Sequence, residues 1–230
     1  MTTAAQVKKL VQSLLDRHDD LVLAGRWIFV TPVHHFARAI LIDATSNKDA
    51  LSPRWAVVHL FEVRRFFKLN WGEFLNNEPS SRPGLWNIHE PDIGSTLVKQ
   101  IERHALPVLR NMKSLDDYLA FVKQHKSRHQ LLEWPTAKII VDVALGNIDA
   151  AKAICRDNIQ HWSTDQPHFD DDDRAECARL RALCACLRTD DRAGLAQLLH
   201  EWEVHTVQNL KIEHLWQPTP FPLELQAARV

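Results

Sequence analysis

Short apolar runs separated by turn signals fill the chain between residues 21 and 63, and they constrain its fold more than any other feature. The runs are rich in Val, Ile, Phe and Trp, residue types that favour strands. The segments between them, such as TSNKDALSP at 45–53, carry the Pro, Asn, Asp and Ser typical of turns. Strands joined by such tight connections predict a small, mostly antiparallel sheet. The predicted strands are 21–25, 26–30, 33–43 and 54–63.

Apolar residues at helical spacing occur both before and after this strand-rich region, and only this spacing is found in the last part of the chain. Residues 7–15 have the spacing of an amphipathic helix, and two further helices are predicted between residues 91 and 121. From about residue 127 onward the spacing indicates only helices. These form two helical hairpins, one that turns at Gly146 and one that turns near Asp190.

Together these patterns predict an α+β fold, with a small antiparallel sheet flanked by helices and followed by helical hairpins. The predicted organisation is an α+β domain over residues 1–126, a helical-hairpin domain over residues 127–215 and a tail over residues 216–230. The tail contains QPTPFP, and its prolines predict an extended conformation along the surface.

The net charge of −1 over 230 residues gives no global field that would favour nucleic acid or an anionic membrane. The charge is unevenly distributed, however. Residues 1–126 contain 17 Lys and Arg against 13 Asp and Glu, whereas residues 127–230 contain 11 against 16. This contrast is compatible with two faces for different partners, and equally with ordinary scatter plus one acidic loop.

The N-terminal stretch MTTAAQVKKLVQSLLDRH lacks the apolar core of a signal peptide. No run in the sequence approaches the ~18 apolar residues needed to cross a bilayer. These two features predict a cytoplasmic protein without a membrane partner. The cysteines form no CxxC pair, and their spacing favours buried small residues over a zinc site. They are Cys155, Cys177, Cys184 and Cys186.

Two adjacent histidines, His34 and His35, precede an apolar run in the third predicted strand. Successive side chains in a strand point to opposite faces, so a strand that begins at Val33 makes the two imidazoles diverge. If His34 instead lies in the turn after Pro32, the imidazoles converge, but the sequence offers no evident third ligand. We therefore predict no metal site.

Arg38 and His59 are the polar residues that most need an explanation, since both lie in otherwise apolar predicted strands. An unpaired charge in such a strand is costly, so Arg38 requires a carboxylate, an aromatic face or a ligand anion as its partner. One interpretation is an internal ion pair or a solvent-facing edge position, and the other is an anion- or protein-binding face. The predicted binding residues are Arg38, His59, Arg64, Arg65 and Trp71.

The run HFDDDD at residues 168–173 has the carboxylate density of a cation site. It lacks the alternating ligands, the glycine and the final glutamate of an EF-hand loop. A helix is predicted to begin directly after it, at Arg174. The aspartates are therefore interpreted as residues that cap this helix and favour its dipole.

Catalytic signatures are absent from the sequence, which contains no GxSxG, Walker, GxGxxG or HExxH motif. Six glycines in all leave little material for phosphate-binding loops. We predict no catalytic residues and no cofactor. A Cys–His nucleophile pair stays open, because neighbours in space are invisible in the sequence.

Four stretches in order resemble a bacterial domain family of hypothetical proteins: GRWIFVTPVHHFARAILID, WAVVHLFEV, LWNIHEPDIG and IERHALPVLRNMKSLDDYL. In that family a small sheet is followed by a Trp-bearing loop and a helix that ends in ALPxL. The resemblance covers residues 20–125. Some members are similar to immunity proteins of contact-dependent toxin systems, so the resemblance implies a protein-binding role without assigned catalytic residues.

The leading hypothesis is a non-enzymatic protein-interaction module, similar to an immunity or antitoxin factor, with another protein as its partner. It depends on the missing catalytic signatures, the charge contrast and the helical hairpins. A second hypothesis is a small-ligand sensor or enzyme whose pocket between sheet and helices uses Arg38 and His59. A third is weak nucleic-acid binding, against which the small size of the basic cluster argues. The sequence is also compatible with a homo-oligomer.

Overall fold

The computed structural model describes residues 3–63, 71–77, 84–124, 134–164, 166 and 168–227. The α+β fold is confirmed: the described residues contain an antiparallel sheet and many helices. The chain divides into two compact units, both discontinuous in sequence, unlike the consecutive segments of the predicted organisation. The first unit is Met1–His59, Phe67–Phe121 and His214–Gln217, and the second is Leu60–Phe66, Val122–Glu213 and Pro218–Val230.

The first unit contains a sheet whose strand order follows the chain, β1-β2-β3-β4-β5, with β6 paired to the beginning of β4. All these pairings are antiparallel, because tight turns connect the first four strands. The strands are β1 Leu21–Ala24, β2 Trp27–Val30, β3 Phe36–Ala44, β4 Ala50–His59, β5 Trp71–Phe74 and β6 Trp86–Asn87.

The pair β3–β4 forms the centre of this sheet. Its register runs without interruption from Phe36 opposite His59 to Ala44 opposite Leu51. Every residue of Phe36–Ile42 is buried, as is nearly all of β4. Side chains that alternate between two faces can all be buried only when both faces are covered, which explains the apolar character of both strands.

Helices of the first unit include one that continues through a proline. The helices are α1 Ala4–Leu15, α2 Ile93–Gln100, α3 Leu106–Asn111 and α4 Leu115–Gln124, the last turn of which belongs to the second unit. Between α2 and α3, residues Ile101–Ala105 form a π-helical turn in which the Leu106 N–H bonds to the Ile101 carbonyl. Pro107 has no N–H to continue the regular ladder, and this wider turn maintains a helical path to it.

The second unit is built from helices whose predicted hairpins are confirmed. The first hairpin pairs α5 with α6 and the second pairs α7 with α8, while α6 also packs on α7. Gly146 ends α5 at a φ of +79°, a left-handed conformation that glycine adopts without strain. The helices are α5 Pro135–Leu145, α6 Ile148–Ser163, α7 Asp171–Arg188, α8 Arg192–Leu210 and α9 Pro222–Ala227.

A disulfide links the two hairpins. It joins Cys155 of α6 to Cys184 of α7, 29 residues apart in sequence, and both residues are buried. The prediction that these cysteines are buried is confirmed, and the bond between them is a feature that their spacing did not indicate. Cys177 is also buried. Sequence spacing compares cysteines along one helix, whereas this bond depends on how two helices pack.

The prediction of an extended surface tail is wrong for its second half. Pro222 begins α9, and Phe221 and Leu223 are fully buried. Proline is compatible with the first turn of a helix, where its missing N–H has no intrahelical partner anyway. Burial of the two apolar side chains stabilises a conformation that proline content alone argued against.

The interpretation of the aspartate run as a helix start is confirmed, although the helix begins at Asp171 and not at the predicted Arg174. Asp170 is the N-cap of α7 and forms a capping box with Asp173, in which each carboxylate accepts the backbone N–H of the other residue. Both bonds use N–H groups that the helix cannot satisfy internally. The remaining acidic residues of the first turn lie at the positive end of the helix dipole.

Asp170→Ala is expected to lower the free energy of unfolding by about 1 kcal/mol, the usual cost of a lost N-cap. Chemical denaturation followed by far-UV circular dichroism measures this change. The matched control is Asp171→Ala, which loses an exposed ion pair with Arg174 and a charge beside the helix dipole but no capping bond, and it is expected to change stability by less than about 0.5 kcal/mol. Equal losses in the two variants would contradict a capping role for Asp170.

Candidate functional site

Arg38 lies in the middle of the sheet, opposite Val30 of β2 and Val57 of β4. The residue is 8% exposed. Its guanidinium donates to the Pro32 carbonyl at 2.8 Å and to the Met112 carbonyl at 3.3 Å. The partners are thus backbone carbonyls, which differ from the carboxylate, aromatic face or ligand anion expected from the sequence.

The negative charge of Asp20 favours the charged form of the buried Arg38. Burial lowers the pKa of Arg38, and the charge of Asp20 opposes this effect. Asp20 itself accepts two bonds from Arg110, at 2.9 and 2.7 Å, and these bonds hold the pKa of the Asp20 carboxyl below its usual value. Arg110 also contacts His18, so the polar groups form a connected network.

His59 lies on the same sheet face as Arg38 and is 1% exposed. Its ring packs edge-on against Tyr118 of α4, with the ring centroids 4.9 Å apart. Phe36, directly opposite His59 in the register, contacts the same tyrosine. The structure therefore places His59 in the packed interior beside α4 and Arg38 on the same buried face of the sheet.

The other predicted binding residues are described less completely. Arg64 and Arg65 lie outside the described residues. Trp71 begins β5, where its backbone pairs with Val57, the residue that also lies opposite Arg38. The pairing therefore aligns the backbones of Arg38 and Trp71 across β4.

The adjacent histidines precede the strand, since β3 begins at Phe36. The ring Nδ1 of His34 lies 2.9 Å from the Gln217 carbonyl, and His35 is buried. Neighbouring Val33 forms an isolated parallel bridge with Trp216. These contacts attach residues 214–217 to the rest of the first unit.

A groove between α7 and α8 of the second unit brings aspartates of the HFDDDD run together with polar side chains that are distant in the sequence. It encloses about 460 Å³. Five of its lining residues are exposed and three are half-buried. The lining residues are Val63, Asp172, Asp173, Ala175, Glu176, Arg179, His205 and Asn209.

Helical spacing explains how each wall of the groove is built. On α7, Asp172, Glu176 and Arg179 follow one another at intervals of four and three residues, so they share one face. On α8, His205 and Asn209 are four residues apart, and the Asn209 amide donates to Nδ1 of His205 at 3.2 Å. Each wall is therefore a row of polar side chains along a rigid helix.

The lining of the groove includes an apolar residue from a separate segment. Thr206 of α8 is fully buried and donates its hydroxyl to the Glu62 carbonyl at 3.2 Å. This bond fixes the segment that carries Val63, the next residue in the chain. Val63 and Ala175 give the groove an apolar component beside its charged walls.

The groove is electrostatically negative, since three carboxylates outnumber one guanidinium in its lining. They lie on the first two turns of α7, whose dipole favours negative charge at that position. The amide of Asn209 and the ring of His205 add further polar groups from α8. Such a lining can accept hydrogen bonds from a cationic group and bring it beside an apolar contact.

Sequence reasoning missed this groove because half of it depends on tertiary packing. The spacing of Asp172, Glu176 and Arg179 was a usable signal, but the aspartates were interpreted only as capping residues. Nothing local connects them to His205 and Asn209, which are some 30 residues away on another helix. The hairpin alone makes them neighbours.

In the part of the chain that the structure describes, no group of three His, Cys, Asp or Glu side chains is arranged to hold a metal ion. None of the described helices has the length and apolar character needed to cross a membrane.

Comparison of the chain with protein-family models, with curated proteins and with solved structures finds no match.

Arg38→Met is expected to lower the free energy of unfolding by about 1–3 kcal/mol, because the Pro32 and Met112 carbonyls lose their donors. Urea denaturation of the full chain measures this. The matched control is Arg17→Met, whose side chain is 53% exposed, with an expected change below about 0.5 kcal/mol. If both variants have the stability of the wild type, the carbonyl bonds of Arg38 do not stabilise the sheet.

Proposed function

We propose that this protein is a non-enzymatic protein-interaction module, and that the groove between α7 and α8 binds a short basic segment of a partner protein. The observation that supports this most directly is the lining of the groove, in which Asp172, Asp173 and Glu176 form an acidic wall opposite His205 and Asn209. An immunity- or antitoxin-like factor that acts by steric binding is a protein of this class.

The size and composition of the groove suit an amino-acid side chain with part of its backbone. A volume of about 460 Å³ lies at the lower end of the range for small-ligand sites. Such sites are mostly apolar, however, whereas Val63 and Ala175 are the apolar members of this lining. A lysine or arginine combines an apolar stem with a charged head, so it matches both components.

The charge of the groove also distinguishes between classes of partner. Carboxylates at its wall repel the phosphates that dominate affinity for nucleic acids. They attract cationic residues, and the attraction raises association rates as well as selecting partners. Arg38 and His59, predicted from the sequence as binding residues, do not line this groove.

Selection of peptides from a displayed random library on the immobilised full chain tests this function. The recovered peptides are expected to be enriched in Lys and Arg beside an apolar residue. The variant D172K/E176K is expected to bind the best of these peptides at least about tenfold more weakly, because two attractive charges become repulsive.

The control D149K/E201K changes the net charge by the same amount on exposed residues outside the groove lining. Asp149 also matches Asp172 in its position, since each is the second residue of its helix. The control is expected to bind the selected peptides like the wild type. Peptides without basic enrichment, or equal binding by both double variants, would contradict the proposal.

A further inference from the structure

His200 of α8 lies between two carboxylates that come from different helices. Its Nδ1 is 3.3 Å from Oε2 of Glu203, one turn further along α8, and its Nε2 is 2.9 Å from Oε2 of Glu224 on α9. The Glu203 side chain is fully buried, whereas the imidazole is 30% exposed. A ring that meets an acceptor at both nitrogens satisfies both only when each nitrogen carries a proton.

Glu224 connects this histidine to the start of the C-terminal helix. The same Oε2 atom accepts the backbone N–H of Phe221 at 2.7 Å, the residue that precedes α9. The carboxylate therefore caps the helix by reaching back from its third residue, and His200 holds that carboxylate in place. The ring of Phe221 also lies 4.9 Å from the ring of His200.

Apolar side chains at the start of α9 are also buried. Phe221 packs edge-on against Phe61, with ring centroids 5.7 Å apart, and Leu223 is fully buried. At the far end of α9 the Gln226 amide donates to the Leu145 carbonyl of α5. A helix of six residues is too short to be stable alone in water, so its conformation depends on these contacts.

We propose that protonated His200 is a latch that holds α9 against α8, and that loss of its proton releases α9 and exposes the surface beneath Phe221 and Leu223. Neutral imidazole can donate from one nitrogen only, so one of the two carboxylates loses its hydrogen bond. The pair with the half-buried Glu224 opens more easily than the one with fully buried Glu203, because Glu224 is carried by the short helix.

The charges around His200 set the direction of the pH dependence. The hydrogen bond with Glu203 raises the pKa of His200, burial opposes this, and the bond and charge of Glu224 raise it further. Helices α5 and α7 also pack on α8, but no described charged side chain on them shifts the His200 pKa. Because the folded-state pKa is raised, the latch stabilises α9 fully below the unfolded-state value and loses this effect as the pH rises through the folded-state value.

Hydrogen–deuterium exchange of the full chain tests the latch, with rates for the C-terminal peptide corrected for the intrinsic effect of pH. Between pH 6 and pH 9 the protection of residues 222–227 is expected to fall by about tenfold, the size of one lost charge-assisted hydrogen bond. Protection of α5 and α6 is expected to stay constant over the same range, which separates local release from general unfolding.

Three variants make the test specific. His200→Gln is expected to show low protection of α9 at both pH values, and His200→Lys is expected to keep protection at pH 9 because its charge persists. His104→Gln, which changes an exposed histidine of the first unit, is expected to behave like the wild type. Should His200→Gln fail to fold, the wild type and His200→Lys still decide the question. The latch is overturned if protection of α9 in the wild type is independent of pH, or if His200→Lys loses protection as the wild type does.

Discussion

The continuous pairing of β3 with β4 is the constraint on which the first unit depends. Nine residues of β3 find partners in β4 without a bulge, and β2 and β5 then pair on the outer edges of the two strands. In a strand with neighbours on both edges and cover on both faces, a buried polar group is costly unless it is hydrogen-bonded. Arg38 bonds to the Pro32 and Met112 carbonyls, and the ring of His59 packs against Tyr118.

Buried ionisable groups in the two units are compensated in opposite ways. Arg38 bonds to backbone carbonyls, whose dipoles cannot change with pH, so its position is fixed by the fold around it. Glu203 meets the titratable ring of His200, so its surroundings change when that ring loses its proton. The first arrangement suits a structural role within a sheet, and the second gives the contact between α8 and α9 a dependence on pH.

Helix α8 makes three different sets of contacts along its length, because its faces meet different neighbours. One face holds buried residues such as Leu199 and Trp202, which pack into the second unit. His200 contacts α9, and further along the helix His205 and Asn209 line the groove beside α7. A rigid helix maintains fixed spacing between these rows, so the groove and the latch remain separate sites that share one element.

Local sequence by itself determined the types of element and several of their ends. The α+β class followed from the change of hydrophobic period, and the start of α7 followed from the aspartate run, because periodicity and capping act over a few residues. Tertiary structure alone decided the partners of Arg38, the Cys155–Cys184 bond, the second wall of the groove and the helix after Phe221. Each of these joins residues far apart in the chain, and the free energy that selects them comes from packing and burial that no local pattern contains.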